Sequence, residues 1–102
     1  MRLLVMFDLP VKTKKERKHY ARFRKFLIND GYDMLQFSVY CRITLNHDDL
    51  SRHLFRLNNN LPPRGSVRAL SITEKQYASM MILLGTYTPG EDLLKPTDIL
   101  EL

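Results

Sequence analysis

Five apolar residues in a row, Leu3-Leu4-Val5-Met6-Phe7, stop at Asp8-Leu9-Pro10, and Thr13 then opens a helix. A run without polar alternation reads as a strand buried on both faces, hence central in its sheet. Thr13-Lys14-Lys15-Glu16 is a capping box, in which Thr caps the first turn and Glu reciprocates three residues on. The helix runs from Thr13 to Asp30, and Gly31 ends it because glycine takes a left-handed conformation at little cost.

Residues 34–44 alternate, with Leu35, Phe37, Val39, Cys41 and Ile43 on one side and Gln36, Ser38, Tyr40, Arg42 and Thr44 on the other. That is strand periodicity, and the favoured reading is two short strands folded near Phe37-Ser38. Asn46 caps a second helix with Leu50, Leu54 and Leu57 as its apolar stripe. Asn58 to Gly65 is loop, broken by Pro62-Pro63 and Gly65. Ser66 to Thr73 is a strand, Thr73-Glu74-Lys75-Gln76-Tyr77 starts a short helix, and Met81 to Thr86 reads as a further strand. The order β-α-β-β-α-β predicts an α+β, ferredoxin-like sandwich over residues 1–86, with helices on one face of an antiparallel sheet. Residues 87–102 form a tail whose last apolar piece, Ile99-Leu100-Glu101-Leu102, is an added C-terminal strand. The other sheet face has no helix to cover it, so a homodimer or a ligand is expected there.

The remaining numbers bound the answer. A chain of 102 residues makes one domain with a modest core. A single cysteine, Cys41, excludes an intramolecular disulfide and offers no zinc spacing. Leu3–Phe7 is too short for a signal segment, and no run reaches the ~18 apolar residues of a membrane span. A soluble, cytoplasmic protein with no membrane partner is expected.

Charge is where function shows. Seven of the 16 Lys and Arg residues lie in the first helix: Lys14, Lys15, Arg17, Lys18, Arg22, Arg24 and Lys25. Glu16 and Asp30 alone oppose them, so this helix carries +5, the formal net charge of the whole chain. Tyr20, Phe23, Phe26 and Leu27 fall within about 120° as the core stripe. Lys14, Lys15, Lys18, Arg22 and Lys25 fall within about 100° on the opposite side. Lys14-Lys18-Arg22-Lys25 spans roughly 16 Å of helix at ~1.5 Å per residue, long enough to meet several phosphates. Ordinary solvated faces mix signs, because like charges at i,i+4 are mildly repulsive. A phosphate backbone docking there would be bound with little sequence reading.

Asp8, at the end of the first strand, is either a turn acid before Leu-Pro or a metal ligand. One carboxylate is a thin site, yet Mg²⁺ commonly takes one or two carboxylates with waters and substrate phosphate, and a two-fold dimer would add a second. His19, His47 and His53 do not pair at ligand spacing with one another or with Cys41. Ser38 and Ser79 lack a His/Asp arrangement for nucleophilic catalysis. Tyr40, Phe55 and Tyr77 are suited to base stacking, to the core or to an interface.

Four segments, taken in order, resemble a known family. They are Met6-Phe7-Asp8-Leu9-Pro10, Glu16-Arg17-Lys18-x-Tyr20-x-x-Phe23-Arg24-Lys25-Phe26-Leu27, Gln36-Phe37-Ser38-Val39-Tyr40 and Thr73-Glu74-Lys75-Gln76-Tyr77. Together they resemble the small CRISPR-associated spacer-adaptation subunit, the ferredoxin-like partner of the CRISPR integrase, in the version of Cas9-containing systems. The likeness covers residues 2–86. It implies a homodimer in which each C-terminal strand joins the partner's sheet, flanked by integrase dimers, with duplex DNA across the basic surface. Some members are described as Mg²⁺-dependent endonucleases on single-stranded RNA or duplex DNA, and the acid of that activity corresponds to Asp8. Members often have Tyr where Phe7 stands. Arg22 falls on a basic helix position implicated in some, Ser38 and Tyr40 match a Ser-Val-aromatic element as possible supporting residues, and Met34 stands where some nucleolytic members have Arg.

The leading expectation is a dimeric DNA-binding scaffold for spacer acquisition, with Lys14, Lys15, Arg17, Lys18, Arg22 and Lys25 on nucleic acid. The alternative is a Mg²⁺-dependent endonuclease using Asp8 as metal ligand and catalytic acid residue. A weaker one is an RNA-binding module on the open sheet face.

Overall fold

A computed structural model describes residues 1–85. The elements follow the order β1 (Arg2–Asp8), α1 (Lys14–Asn29), β2 (Asp33–Gln36), β3 (Val39–Ile43), α2 (His47–Asn58), β4 (Ser66–Ile72) and α3 (Glu74–Ala78). The four strands form one antiparallel sheet in the order β2-β3-β1-β4. β1 is central, as its unbroken apolar run requires.

Leu3, Val5 and Phe7 of β1 meet Phe23 and Leu27 of α1, Tyr40 of β3 and Leu57 of α2 in one buried cluster, with Tyr20, Phe26 and Leu50 packed at its margin. Both helix starts are closed as the sequence predicts. Thr13 Oγ1 accepts from the Glu16 N–H at 3.1 Å while Glu16 Oε1 accepts from the Thr13 N–H at 2.9 Å, and Asn46 Oδ1 accepts from the Asp49 N–H at 2.8 Å. Gly31 ends α1 at φ +90.

Three expectations are corrected. The alternation over 34–44 holds along β3 but breaks in β2, because the β2–β3 ladder shifts register between Met34 and Gln36 and sets Gln36 opposite Val39. Tyr40 and Thr44 turn inward and are each 1% exposed. Val39, Cys41 and Ile43 instead share the helix-free face with Met6, Leu4 and Arg2, their ladder partners. In α2 the buried residues are Asp49, His53 and Leu57, so the inner face is turned away from Leu54, which is 38% exposed. The strand read over 81–86 has no ladder partner among the described residues, and Met81–Gly85 form none. Leu83 and Leu84 stand 86% and 96% exposed, so the apolar run there reports no buried face. Thr86, the tail from Tyr87 and the terminal strand at 99–102 lie outside the described residues.

The helix-free face is partly attended by α3. Arg2 Nε donates to both Glu74 carboxylate oxygens at 3.0 and 3.1 Å, and its guanidinium lies 3.9 Å from the Tyr77 ring centroid. Beyond it Ile43 and Leu70 remain 52% exposed.

An ionic cluster holds α1 to α2. His53 Nδ1 is 3.3 Å from Asp30 Oδ2 and its Nε2 is 3.2 Å from Asp49 Oδ1. Arg56 pairs with the other Asp30 oxygen, and Arg52 with Asp49. The Arg42 guanidinium donates to the Asp30 carbonyl. Nearby, the Tyr32 hydroxyl is buried without a hydrogen-bond partner among the described residues. Burial, then the Asp30 charge, pushes its pKa up to about 12. The fold therefore favours the neutral phenol. Its contribution to stability is complete below the ordinary value near 10 and is lost as pH rises towards 12. In urea titrations across that window, Tyr32→Phe should lose less of its midpoint than the parent chain.

Candidate nucleic-acid interface

The end of β1 is set by a close approach of backbone. Gly65 has φ +109, and a Cβ there would lie 2.7 Å from the Asp8 carbonyl oxygen and 2.6 Å from Leu9 Cδ2. Only glycine lets the loop before β4 close over Asp8 and Leu9. The ladder then sets Asp8 opposite Ser66 and Met6 opposite Arg68, placing Asp8, Ser66 and Arg68 on the helix-free face. Asp8 is exposed while Phe7 is buried on the other side. Among the described residues the Asp8 carboxylate has no hydrogen bond or ion pair, so both oxygens are available. No group of three or more His, Cys, Asp or Glu there is placed to hold a metal ion.

Phe7 is a packing residue. Its ring is edge-on to Phe23 at 5.2 Å and to Tyr20 at 6.0 Å, and stacked on Tyr40 at 5.6 Å. Tyr40, expected as a supporting site residue, lies in this cluster with its hydroxyl accepting from Arg24 Nε at 3.0 Å. Ser38 occupies the turn between β2 and β3 at φ +64, and its carbonyl accepts the Phe7 N–H at 3.1 Å. Both residues therefore shape the site from beneath. Met34 is 48% exposed at the sheet edge, and Phe55 is 69% exposed on α2.

The cationic residues of α1 are brought together as its periodicity requires. Lys14, Lys15, Lys18, Arg22 and Lys25 are all exposed, and none forms an ion pair among the described residues. Glu16, the one acid in the helix body, is turned back onto its N-terminus. There the Thr13 N–H, foremost among its partners, holds its carboxyl below the usual range. The solvent face of α1 is thus left to cations. Arg17 is partly spent on structure, donating from Nη1 to the carbonyls of Val11 and Lys12 at 3.1 and 2.9 Å. The structure divides the expected site in two: the cationic face lies on the outer side of α1, and Asp8 lies on the opposite sheet face at the same end of β1.

Residues 1–80 match the family described as CRISPR associated protein Cas2. The chain belongs to the Cas2 family. A protein of Acidovorax ebreus named CRISPR-associated endoribonuclease Cas2 is 59% identical over 85 residues, covering 83% of each chain. One of the same name from Streptococcus mutans is 46% identical, covering 83% of this chain and 78% of its own. Another from Campylobacter jejuni is 46% identical over 99 residues, covering 97% of this chain and 69% of its own. The crystal structure of Streptococcus pyogenes Cas2 at pH 6.5 superposes with a TM-score of 0.62 at 20% identity, covering 81% of this chain and 99% of that one. The last likeness confirms the ferredoxin-like fold. No helix among the described residues is long and apolar enough to cross a membrane.

Three surface residues escaped the sequence reading. Ser66 and Arg68 join Asp8 only through the β1–β4 register, which no local pattern reveals. Phe37, 78% exposed at the hairpin turn, carried a signal in its position: a bulky aromatic stands where turn formers are usual.

Proposed function

We propose that this Cas2-family chain is a Mg²⁺-dependent endoribonuclease that binds single-stranded RNA on the cationic face of α1 and cuts it where the strand passes round the end of β1 to Asp8. The observation that carries the reading is the Asp8 carboxylate, exposed and unpaired among the described residues at the tip of the central strand. The name borne by the relatives above agrees with it. Mg²⁺ fits this donor set, since it binds through one or two carboxylates and fills its remaining positions with water and substrate phosphate oxygens. Asp8 would hold it, and when bound the ion polarises the phosphodiester and acidifies a water. The chain itself orients the strand: Lys14, Lys15, Lys18, Arg22 and Lys25, with Arg17 beside them, take phosphates, and Arg68 sets a positive charge on the Asp8 face.

On this reading two copies meet through the helix-free face, whose Ile43 and Leu70 are half-exposed, and a second Asp8 comes with the second copy. The pair then docks the CRISPR integrase.

A second reading, a scaffold that holds duplex DNA without cutting it, is favoured by the unpaired line Lys14-Lys18-Arg22-Lys25. Phosphates satisfy that line whatever the sugar or strandedness. The RNA module on the open sheet face loses its strand aromatics, because Tyr40 is in the core and no strand residue on that face is aromatic.

A time course on single-stranded RNA and duplex DNA with Mg²⁺, Mn²⁺ or EDTA, reading cut and bound fractions together, decides between the two. RNA cleavage that stops with EDTA is expected. Duplex binding with neither substrate cut would leave the scaffold. In either case Lys18→Ala with Arg22→Ala should weaken both ligands alike and flatten the salt dependence by about two phosphate contacts.

A further inference from the structure

The exposed ring of Phe37 is not a loose hydrophobe. It lies nearly parallel to Tyr20, 24° apart with centroids at 6.3 Å, and Tyr20 in turn is braced edge-on by Phe7. The turn that carries it is anchored by the Phe7 N–H to Ser38 carbonyl bond. One face of the ring is thus backed by a fixed aromatic while most of the ring stays open to solvent. Its surroundings are cationic. Arg17 and Arg24 lie three residues before and four residues after Tyr20 on α1, the spacings that share one side of a helix, and both are exposed. Arg24 is steadied by its bond from Nε to the Tyr40 hydroxyl, and its terminal nitrogens have no hydrogen bond or ion pair among the described residues. A backed, flat π surface beside a helix that carries exposed arginines suits a flat base with its phosphates better than an apolar protein patch.

We propose that Phe37, seated on Tyr20 of the cationic helix α1, is a stacking platform for an unpaired base of single-stranded nucleic acid. The inference rests on the nucleic-acid-binding reading and deepens it. It supplies what α1 alone lacks, a preference for strands whose bases are free. A base locked in a duplex presents no open face to the platform and gains nothing from it.

The test uses the full chain and two labelled probes of equal length, a mixed-sequence single-stranded RNA and a blunt duplex. Phe37→Ala and Phe37→Leu should each weaken single-strand binding on the order of tenfold, about the value of one stacked base, and leave the duplex within about twofold. Phe37→Trp should retain affinity. The chain has no tryptophan of its own, so that variant carries a single indole whose emission should be quenched on binding the single strand. Equal losses for both probes, full affinity in Phe37→Leu, or unchanged indole emission at saturation would each overturn the platform. So would a fall in oligomeric mass with single-strand affinity intact, which would make Phe37 a protein contact. Lys18→Ala with Arg22→Ala separates the layers. If that variant binds both probes normally, the underlying reading fails; if it weakens both while Phe37→Ala weakens neither, only the platform fails.

Discussion

Asp8→Asn should leave RNA binding within about twofold and slow Mg²⁺-dependent cleavage on the order of 10²–10³-fold. The substitution keeps size and shape and removes only the charge. Asp8 is exposed and makes no contact that packing depends on, so stability should change by about 0.5 kcal/mol or less. A lost metal ligand, by contrast, removes several kcal/mol of transition-state stabilisation, and each 1.36 kcal/mol is about tenfold in rate. Quench-flow or gel time courses at saturating RNA isolate the chemical effect from binding. Cleavage that persists in Asp8→Asn at the parent rate would place the reaction elsewhere in the molecule.

Asp30→Ala should be the most damaging single change to the fold, lowering stability by about 3–5 kcal/mol. Asp30 caps α1, is 7% exposed, and takes His53 on one oxygen and Arg56 on the other. Its removal strands the imidazole beside Asp49 and leaves the Arg56 guanidinium without its carboxylate. For a domain of this size the loss corresponds to a fall in melting temperature of more than about 12 °C. The contrast with Arg52→Ala is informative. Arg52 is 67% exposed, so its pair with Asp49 is largely screened by water and its loss should be slight. Thermal melts of the two variants side by side would show whether the cluster acts as a buried clamp. Similar melting points would mean that it does not.

What could be read ahead of the structure was what nearest neighbours along the chain decide. The strand at Arg2–Asp8, the capped helix after it, the hairpin at Phe37-Ser38 and the line of cations on α1 all follow from local period and capping chemistry. Tertiary pairing decides the rest. The register shift between Met34 and Gln36 sets Gln36 opposite Val39, and no alternation pattern can announce a bulge. His53 looked like a residue beside a leucine stripe because its partner Asp30 is 23 positions away. Asp8 was visible as a candidate, whereas Ser66 and Arg68 became its neighbours only through the β1–β4 ladder. Met81–Gly85 is an apolar run that reads like a strand, yet composition cannot supply the neighbouring backbone that a strand needs.

The first strand among the described residues stands in the middle of the sheet, and its outer neighbour, β4, is the last. Arg2 pairs with Ile72 and Asp8 with Ser66, so one flank of β1 stays open until nearly the whole described chain has left the ribosome. At about 5–20 residues per second, synthesis holds that apolar edge unpaired for several seconds. Helices α1 and α2 can form in that interval, but the sheet cannot close. Folding of this chain is therefore a late, all-at-once event, and a polypeptide interrupted before Ile72 would present an aggregation-prone strand edge to its surroundings.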